Sequence, residues 1–189
     1  SIRSPAAPAP ARSPRLVTGR TMESWQPAYI GIGSNLQDPQ SQVLRACERL
    51  KALACTRVVR LSPLYGSKPF GPVSQPDFVN AVAAVLTRLD SRALLEELLA
   101  IERAFGRPKE RERWGPRIID LDLLIYGRER RQEPGMTIPH PGIVERNFVL
   151  YPLADLAPDL DVPGLGRVAE LRGRLAADGI ERLGESSNP

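Results

Sequence analysis

The chain has 189 residues, of which 42% are apolar, and this is enough for one compact domain with a real core but little more. No apolar run approaches the length of a membrane span, so we expect a cytoplasmic protein without a membrane partner. The net charge of +4 and the pI of about 9.4 suit an anionic partner. With only Cys47, Cys55 and His140 available, a zinc knuckle, a redox pair and a histidine-based metal cluster are excluded.

Residues 1–27 are rich in Ala, Pro, Ser and Arg and have no apolar periodicity. This composition predicts a disordered tail, or a leader that is not native to the folded protein, with Met22 as a candidate start. We therefore expect residues 28–189 to form a single domain.

Six segments have the periodicity of regular structure, in the order strand, helix, strand, strand, helix, strand. They are 28–33, a helix that Asp38 caps, 56–61, 77–87, 91–105 and 119–126. The first helix is predicted to bury a stripe formed by Val43, Leu44, Cys47, Leu50 and Ala54. This order predicts an α+β fold of the ferredoxin-like βαββαβ type, with an added hairpin near 136–139 and short C-terminal helices at 150–156 and 168–175.

Two carboxylates share one side of the last strand of this series. Side chains alternate along a strand, so Asp120 and Asp122 point the same way, while Ile119, Leu121, Leu123 and Ile125 point to the other face. Like charges repel by about 1 kcal/mol at 4 Å in water and by more in a desolvated site. A magnesium ion between them would relieve the repulsion, because Mg²⁺ binds one or two carboxylates together with phosphate oxygens. Charges that protect an edge strand from aggregation are the alternative interpretation.

A basic loop precedes this strand. Its cations are Arg107, Lys109, Arg111, Arg113 and Arg117. Guanidinium groups bind phosphate oxygens in pairs, although Glu110 and Glu112 could also neutralise a merely solvated loop. Together with the acidic pair, the loop favours a magnesium-nucleotide site.

Other features exclude two kinds of nucleotide-binding motif but leave the type of ligand open. The pair Gly31 and Gly33 lacks the third glycine of a dinucleotide-binding motif, and no Walker sequence is present. Asn80, in an otherwise apolar strand, could recognise the edge of a heterocycle or bond to nearby backbone. An RNA-binding module is a rival interpretation. Such modules need stacking aromatic side chains on their two middle strands, and the third strand here offers only Phe78. A magnesium-dependent transferase with a different acceptor also stays open.

Five motifs together resemble the 6-hydroxymethyl-7,8-dihydropterin pyrophosphokinase family. They are Tyr29-Ile-Gly-Ile-Gly-Ser-Asn-Leu36, Phe70-Gly-Pro, Gln75-Pro-Asp-Phe-Val-Asn80, Arg113-Trp-Gly-Pro-Arg-Ile-Ile-Asp-Leu-Asp122 and Pro139-His140. The similarity runs from about Tyr29 to Pro158. It implies that a monomeric enzyme of folate biosynthesis transfers pyrophosphate from ATP to the hydroxymethyl group of the pterin and releases AMP, without a nucleic-acid partner.

The resemblance also implies roles for individual residues. Asp120 and Asp122 correspond to catalytic ligands of two Mg²⁺ ions, and Arg107 and Lys109 correspond to catalytic loop cations that meet the transferring group. Positions that contact the nucleotide are Glu102, Arg107, Lys109, Trp114, Arg117, Leu123, His140 and Arg146. Positions around the pterin are Ser67, Lys68, Phe70, Phe78, Asn80 and Phe148, with Asn80 at the edge of the ring.

The chain departs from the usual pattern of the family at several of these positions. Lys109 stands where Arg is frequent, so the charge is kept but the guanidinium fork is lost. Leu99 replaces a common Gln, Pro141 a common Tyr, Ser67 a usual Thr and Phe70 a frequent Leu. These differences concern adenine affinity and ring packing more than the chemistry.

Overall fold

The computed structural model describes residues 21–69, 71–72, 74–106 and 118–184, and a sheet of antiparallel strands forms their centre. The strands are β1 (Thr21–Ser34), β2 (Thr56–Leu61), β3 (Tyr65–Ser67), β4 (Phe78–Leu89), β5 (Asp120–Tyr126), β6 (Arg131–Glu133), β7 (Met136–Ile138), β8 (Asp161–Val162), β9 (Gly166–Arg167) and β10 (Ile180–Arg182). The helices are α1 (Pro39–Lys51), α2 (Ser91–Ala104), α3 (Asn147–Leu156) and α4 (Val168–Gly173), with a short 3₁₀ helix at Ile143–Glu145.

The main sheet has the order β10-β3-β4-β1-β5, and β2 also pairs with β4. Since β2 and β3 pair with successive parts of β4, they fill one position in the sheet between them. The resulting order of β2 and β3, then β4, β1 and β5 is that of the ferredoxin-like fold, so the predicted α+β fold is confirmed. The added hairpin is also present, as β6 paired with β7.

Helices cover both faces of the sheet. Helices α1 and α2 pack on one face around Leu50, Leu94 and Leu98, all fully buried. Helices α3 and α4 pack on the other face around Leu150 and Leu153, which are also fully buried. No helix within the described residues is long and apolar enough to cross a membrane.

The start of α1 agrees with its sequence, but its buried stripe differs from the prediction. Asp38 caps the helix by accepting a hydrogen bond of 3.5 Å from the Ser41 backbone N–H, and it also accepts one of 2.7 Å from the Ser41 hydroxyl. Leu44 is 46% exposed and Ala54 is exposed, so these two stripe assignments are wrong. The helix ends at Lys51, and Ala46 takes the buried position that is three residues from Val43.

Strand β1 begins earlier than the sequence predicts. Residues 21–27, assigned to the tail, belong to the sheet: Thr21 pairs with Leu89 and Gln26 with Thr87, with a bulge between the two pairs. The Arg88 Nε also donates to the Met22 carbonyl at 3.1 Å. The domain start at residue 28 is therefore wrong, because backbone pairing at a sheet end needs no apolar periodicity. Residues 1–20 lie outside the described part of the chain.

A bulge in β5 changes the predicted alternation. Ile30 pairs with Leu123 and Tyr29 with Ile125, so Leu124 is the extra residue on its strand. As a result, Ile125 lies on the α3 side with Leu124 rather than on the α1 and α2 side with Leu123, as predicted. Asp120 and Asp122 precede the bulge, and they keep the shared face that the sequence predicts.

Candidate active site

A cleft with a volume of about 100 Å³ lies on the α3 face of the sheet, between β3, β4, β1, β5 and the first turn of α3. Eight of the site residues predicted from the sequence line it: Ser67, Lys68, Phe78, Asn80, Asp120, Asp122, Arg146 and Phe148. The structure therefore brings together residues that are up to 81 positions apart in the chain, from Ser67 to Phe148.

Asn80 lies at one end of the cleft and is only 7% exposed. Its Nδ2 donates to the Ser67 hydroxyl at 2.6 Å, and within the described ranges this is its one side-chain hydrogen bond. The partner is a cleft residue rather than the backbone, which favours a ligand-binding role over a purely structural one.

Gly33 makes room for the Asn80 amide. The two residues are paired across β1 and β4, and a Cβ atom at Gly33 would lie 2.8 Å from Asn80 Oδ1. That distance is shorter than a carbon-oxygen contact allows. A glycine is therefore required for the amide to keep its position, and it leaves the sheet surface beside Asn80 formed by backbone.

Aromatic rings form the apolar walls of this end. Phe78 comes from the start of β4, and Phe148 from the first turn of α3. The Arg146 guanidinium lies 5.8 Å from the centre of the Phe148 ring. Two aromatic side chains near a buried amide suit a flat heteroaromatic ligand with a polar edge.

The acidic pair forms the other end of the cleft. Asp120 is paired with Gly33 and Asp122 with Gly31, so the neighbouring strand adds no side chain beside the carboxylates. Asp122 Oδ2 is 3.9 Å from Arg146 Nη1, and its Oδ1 is 3.9 Å from His140 Nε2. No group of three or more His, Cys, Asp or Glu that could hold a metal ion occurs in the described residues. A cation at this pair would need further ligands from a substrate or from water.

His140 is neutral at physiological pH. Burial and then the charge of Arg146 lower its pKa to about 4, although Asp120 opposes this shift. Its Nδ1 accepts a hydrogen bond of 3.0 Å from the Gly142 N–H, so the proton of the neutral ring is on Nε2. The contact with Asp122 is therefore not an ion pair, and the ring presents a neutral N–H donor at the acidic end.

The sequence profile of the 7,8-dihydro-6-hydroxymethylpterin-pyrophosphokinase (HPPK) family matches residues 29–158. The chain belongs to this family. The match runs from Tyr29 in β1 past the end of α3, and so it includes every residue that lines the cleft.

Characterised relatives agree with this assignment. The 2-amino-4-hydroxy-6-hydroxymethyldihydropteridine pyrophosphokinase of Pseudomonas aeruginosa is 47% identical over 158 residues, which are 84% of this chain and 97% of that protein. The enzyme of the same name from Haemophilus influenzae is 46% identical over 144 residues, covering 76% of this chain and 89% of that protein.

Solved structures show the same fold at low sequence identity. The wild-type Plasmodium falciparum HPPK-DHPS with pteroate has a TM-score of 0.69 at 13% identity, covering 84% of this chain and 48% of that one. The same protein with pterin and p-hydroxybenzoate has a TM-score of 0.66 at 14% identity, covering 89% and 48%. The present chain thus spans about half the length of these structures.

Three predicted nucleotide contacts, Glu102, Leu123 and His140, do not line the cleft of this family member. His140 lines a second cleft together with Arg130 and Leu165, although its Nε2 lies 3.9 Å from Asp122 Oδ1. Glu102 is 1% exposed, and its Oε1 accepts from the Leu121 N–H at 2.8 Å, which holds β5 between the two aspartates. The Leu123 side chain packs in the core on the α1 and α2 side. Arg107, Lys109, Trp114, Arg117 and Phe70 lie outside the described residues.

Sequence reasoning assigned no role to Asn35 or Gln75. Asn35 is 2% exposed, and its Nδ2 donates to Gln75 Oε1 at 2.8 Å and to the Pro76 carbonyl at 3.1 Å. Gln75 lines the cleft, so Asn35 holds a wall of the cleft in place. Both residues lie within motifs of the family. Their contact joins positions 40 residues apart, however, and no local pattern predicts it.

Proposed function

We propose that this protein transfers the β,γ-pyrophosphoryl group of ATP to the hydroxymethyl oxygen of 6-hydroxymethyl-7,8-dihydropterin, releases AMP and thereby serves folate biosynthesis. As a member of the family it is an ATP-using diphosphotransferase. The observation that carries the proposal is that one cleft has the Asn80 amide and two aromatic walls at one end and Asp120 and Asp122 at the other.

The pterin occupies the end of the cleft near Asn80. Asn80 hydrogen-bonds the polar edge of the ring, and Phe78 and Phe148 contact its faces, with Ser67 and Lys68 beside it. This orientation directs the hydroxymethyl group towards the acidic end. Holding acceptor and donor in one geometry replaces an encounter of separate molecules and removes part of the entropic barrier.

The nucleotide phosphates occupy the acidic end. Arg146 supplies a permanent positive charge, and neutral His140 supplies its Nε2–H as a donor. Arg107, Lys109, Trp114 and Arg117 are proposed to complete the phosphate and nucleotide contacts from the preceding loop. Lys109 keeps the charge of an arginine but meets phosphate as a point charge. Glu102 contributes indirectly, by fixing the strand that carries the carboxylates.

Asp120 and Asp122 are proposed to hold two Mg²⁺ ions together with the ATP phosphates. The donor set fits this metal, because it consists of hard oxygen ligands that leave most positions to phosphate oxygens and water. The glycine backbone opposite both carboxylates keeps that space open. When bound, the ions neutralise phosphate charge and orient the reacting oxygens.

The oligomeric state and the cellular location of the enzyme are also part of the proposal. We propose that the enzyme acts as a cytoplasmic monomer on two small-molecule substrates, without a nucleic acid or a membrane as partner. This chain by itself supplies both ends of the proposed cleft, so the proposed site needs no residue from a second subunit.

The products of the reaction test this function. With ATP, magnesium and 6-hydroxymethyl-7,8-dihydropterin, we expect AMP and the pterin pyrophosphate in equal amounts by chromatography. The control omits the pterin, and AMP should then not accumulate. ADP as the main product would show transfer of a single phosphoryl group and would contradict the proposal.

A further inference from the structure

A C-terminal segment outside the family match contacts both walls of the cleft. We call residues 175–183 the C-terminal strap; they include β10 and begin 17 residues after the matched region ends at 158. The strap itself does not line the cleft. Its contacts nevertheless converge on the two elements that enclose the pterin end, β3 and α3.

The strap is bonded along the whole of β3. Strand β10 pairs with β3, with Ile180 opposite Ser67. The Lys68 N–H donates to the Gly179 carbonyl at 2.8 Å, and the Leu183 N–H donates to the Leu64 carbonyl at 2.7 Å. The strap therefore places the backbone of Ser67 and Lys68, and with it the hydroxyl that accepts from Asn80.

The strap is also bonded to the first turns of α3. Asn147 Nδ2 donates to the carbonyls of Ala176 at 3.0 Å and Asp178 at 2.9 Å. The Tyr151 hydroxyl donates to the Leu175 carbonyl at 3.0 Å. Asn147 lies between Arg146 and Phe148 in the chain, so these bonds fix the helix turn that carries the second wall of the cleft.

Arg182 connects the two walls directly. Its Nη2 donates to Asp155 Oδ1 on α3 at 2.7 Å, and its Nε lies 3.3 Å from the Tyr65 hydroxyl on β3. Tyr65 in turn donates to Asp155 Oδ2 and is 5% exposed. Charged hydrogen bonds are stronger than neutral ones, and solvent weakens this one in part because the Arg182 side chain is 38% exposed. The three side chains together link β3 to α3.

We propose that Arg182 is a positioning residue for the pterin, because its link to Asp155 and Tyr65 sets the separation between the β3 wall and Phe148. This inference rests on the proposed function. Tyr65 is two residues from Ser67, and Asp155 is on the same helix as Phe148. A change in this link therefore moves the hydroxyl beside Asn80 relative to the ring opposite, whereas Asp120 and Asp122 are on β5, which the link does not contact.

The test is Arg182→Gln, which removes the charge and keeps most of the side-chain length. We expect the KM for the pterin to rise about tenfold, the effect of losing roughly one charged hydrogen bond, with kcat and the KM for ATP within about twofold of wild type. Arg182→Lys restores the charge and should recover part of the affinity. Arg172→Gln is the control, because the Arg172 guanidinium lies 4.5 Å from the centre of the Tyr151 ring, as that of Arg182 lies 5.8 Å from the Tyr65 ring, but Arg172 does not contact β3.

Pterin affinity is also measured by calorimetry with 6-hydroxymethylpterin and a nonhydrolysable ATP analogue, so the result does not depend on turnover. A dissociation constant for Arg182→Gln equal to that of wild type would overturn the proposal, as would an equal loss of ATP and pterin binding. If Arg182→Gln does not fold, Asp155→Asn replaces it, since it removes the charge that both Arg182 and Tyr65 contact, and unchanged pterin affinity would again overturn the proposal. Failure of the proposed function itself is distinct, because wild type would then form no AMP.

Discussion

Replacing Asp122 with asparagine is expected to lower kcat by about 100-fold or more, because a preorganised charge that acts in the transition state is lost. The amide keeps the size and shape of the carboxylate, so the cleft should remain intact. Arg146 and His140, each 3.9 Å from the carboxylate, would face a neutral group instead of an anion. Steady-state kinetics with varied magnesium measures the effect, and the apparent magnesium requirement should also rise.

Asp161→Asn is the matched control for this variant. Asp161 is an exposed carboxylate on β8, 3.7 Å from Arg128, and surface pairs of this type contribute about 0–1 kcal/mol to stability. Its kcat should equal that of wild type. If Asp122→Asn also retained wild-type kcat, the acidic pair would be a feature of an edge strand, and the metal site would have to lie elsewhere.

Asn80→Leu should weaken pterin binding by about 1–3 kcal/mol, because the polar edge of the ligand would be buried without its hydrogen-bond partner. The loss applies to the ground state and the transition state alike, so the KM for the pterin rises more than kcat falls. The ATP affinity should change little, since the acidic end is separate. Calorimetric titration of each ligand, with steady-state rates, distinguishes the two effects.

Gly33→Ala should also weaken pterin binding, because the new methyl group would lie 2.8 Å from the Asn80 amide oxygen and displace it.

Thr87→Val serves as the control on the same strand. Thr87 is fully buried, and its hydroxyl is 2.9 Å from that of Thr56, at the end of β4 far from the cleft. This change should lower stability by about 1–2 kcal/mol without altering pterin affinity. Pterin binding by Asn80→Leu that matches wild type would show that the amide is only structural.

Local patterns predicted the parts of the fold that depend on local interactions. Asp38 caps α1, α2 begins at Ser91, and Thr56–Leu61 forms a strand, all as predicted. The same reasoning could not place the start of β1 or the bulge at Leu124. Both are decided by pairing with a distant strand, and neither has a residue pattern of its own.

In the candidate site, too, local patterns predict some residues and not others. The shared face of Asp120 and Asp122 follows from the two-residue period of a strand, and the isolated amide of Asn80 is conspicuous in an apolar segment. Other contacts join positions that are 27 to 117 residues apart in the chain. They are the bond between Asn35 and Gln75 and the link from Arg182 to Tyr65 and Asp155. Such contacts can be predicted only when the sheet order is known. The residues that support the cleft could therefore not be predicted from the sequence.

We propose that one cleft holds the pterin at Asn80 and the ATP phosphates at Asp120 and Asp122. A crystal structure with magnesium, a nonhydrolysable ATP analogue and 6-hydroxymethylpterin tests this most directly. We expect the ring between Phe78 and Phe148, its polar edge on the Asn80 amide and its hydroxymethyl group towards metal ions held by the two carboxylates. A pterin bound elsewhere, for example in the second cleft that Arg130 and Leu165 line, would contradict the account.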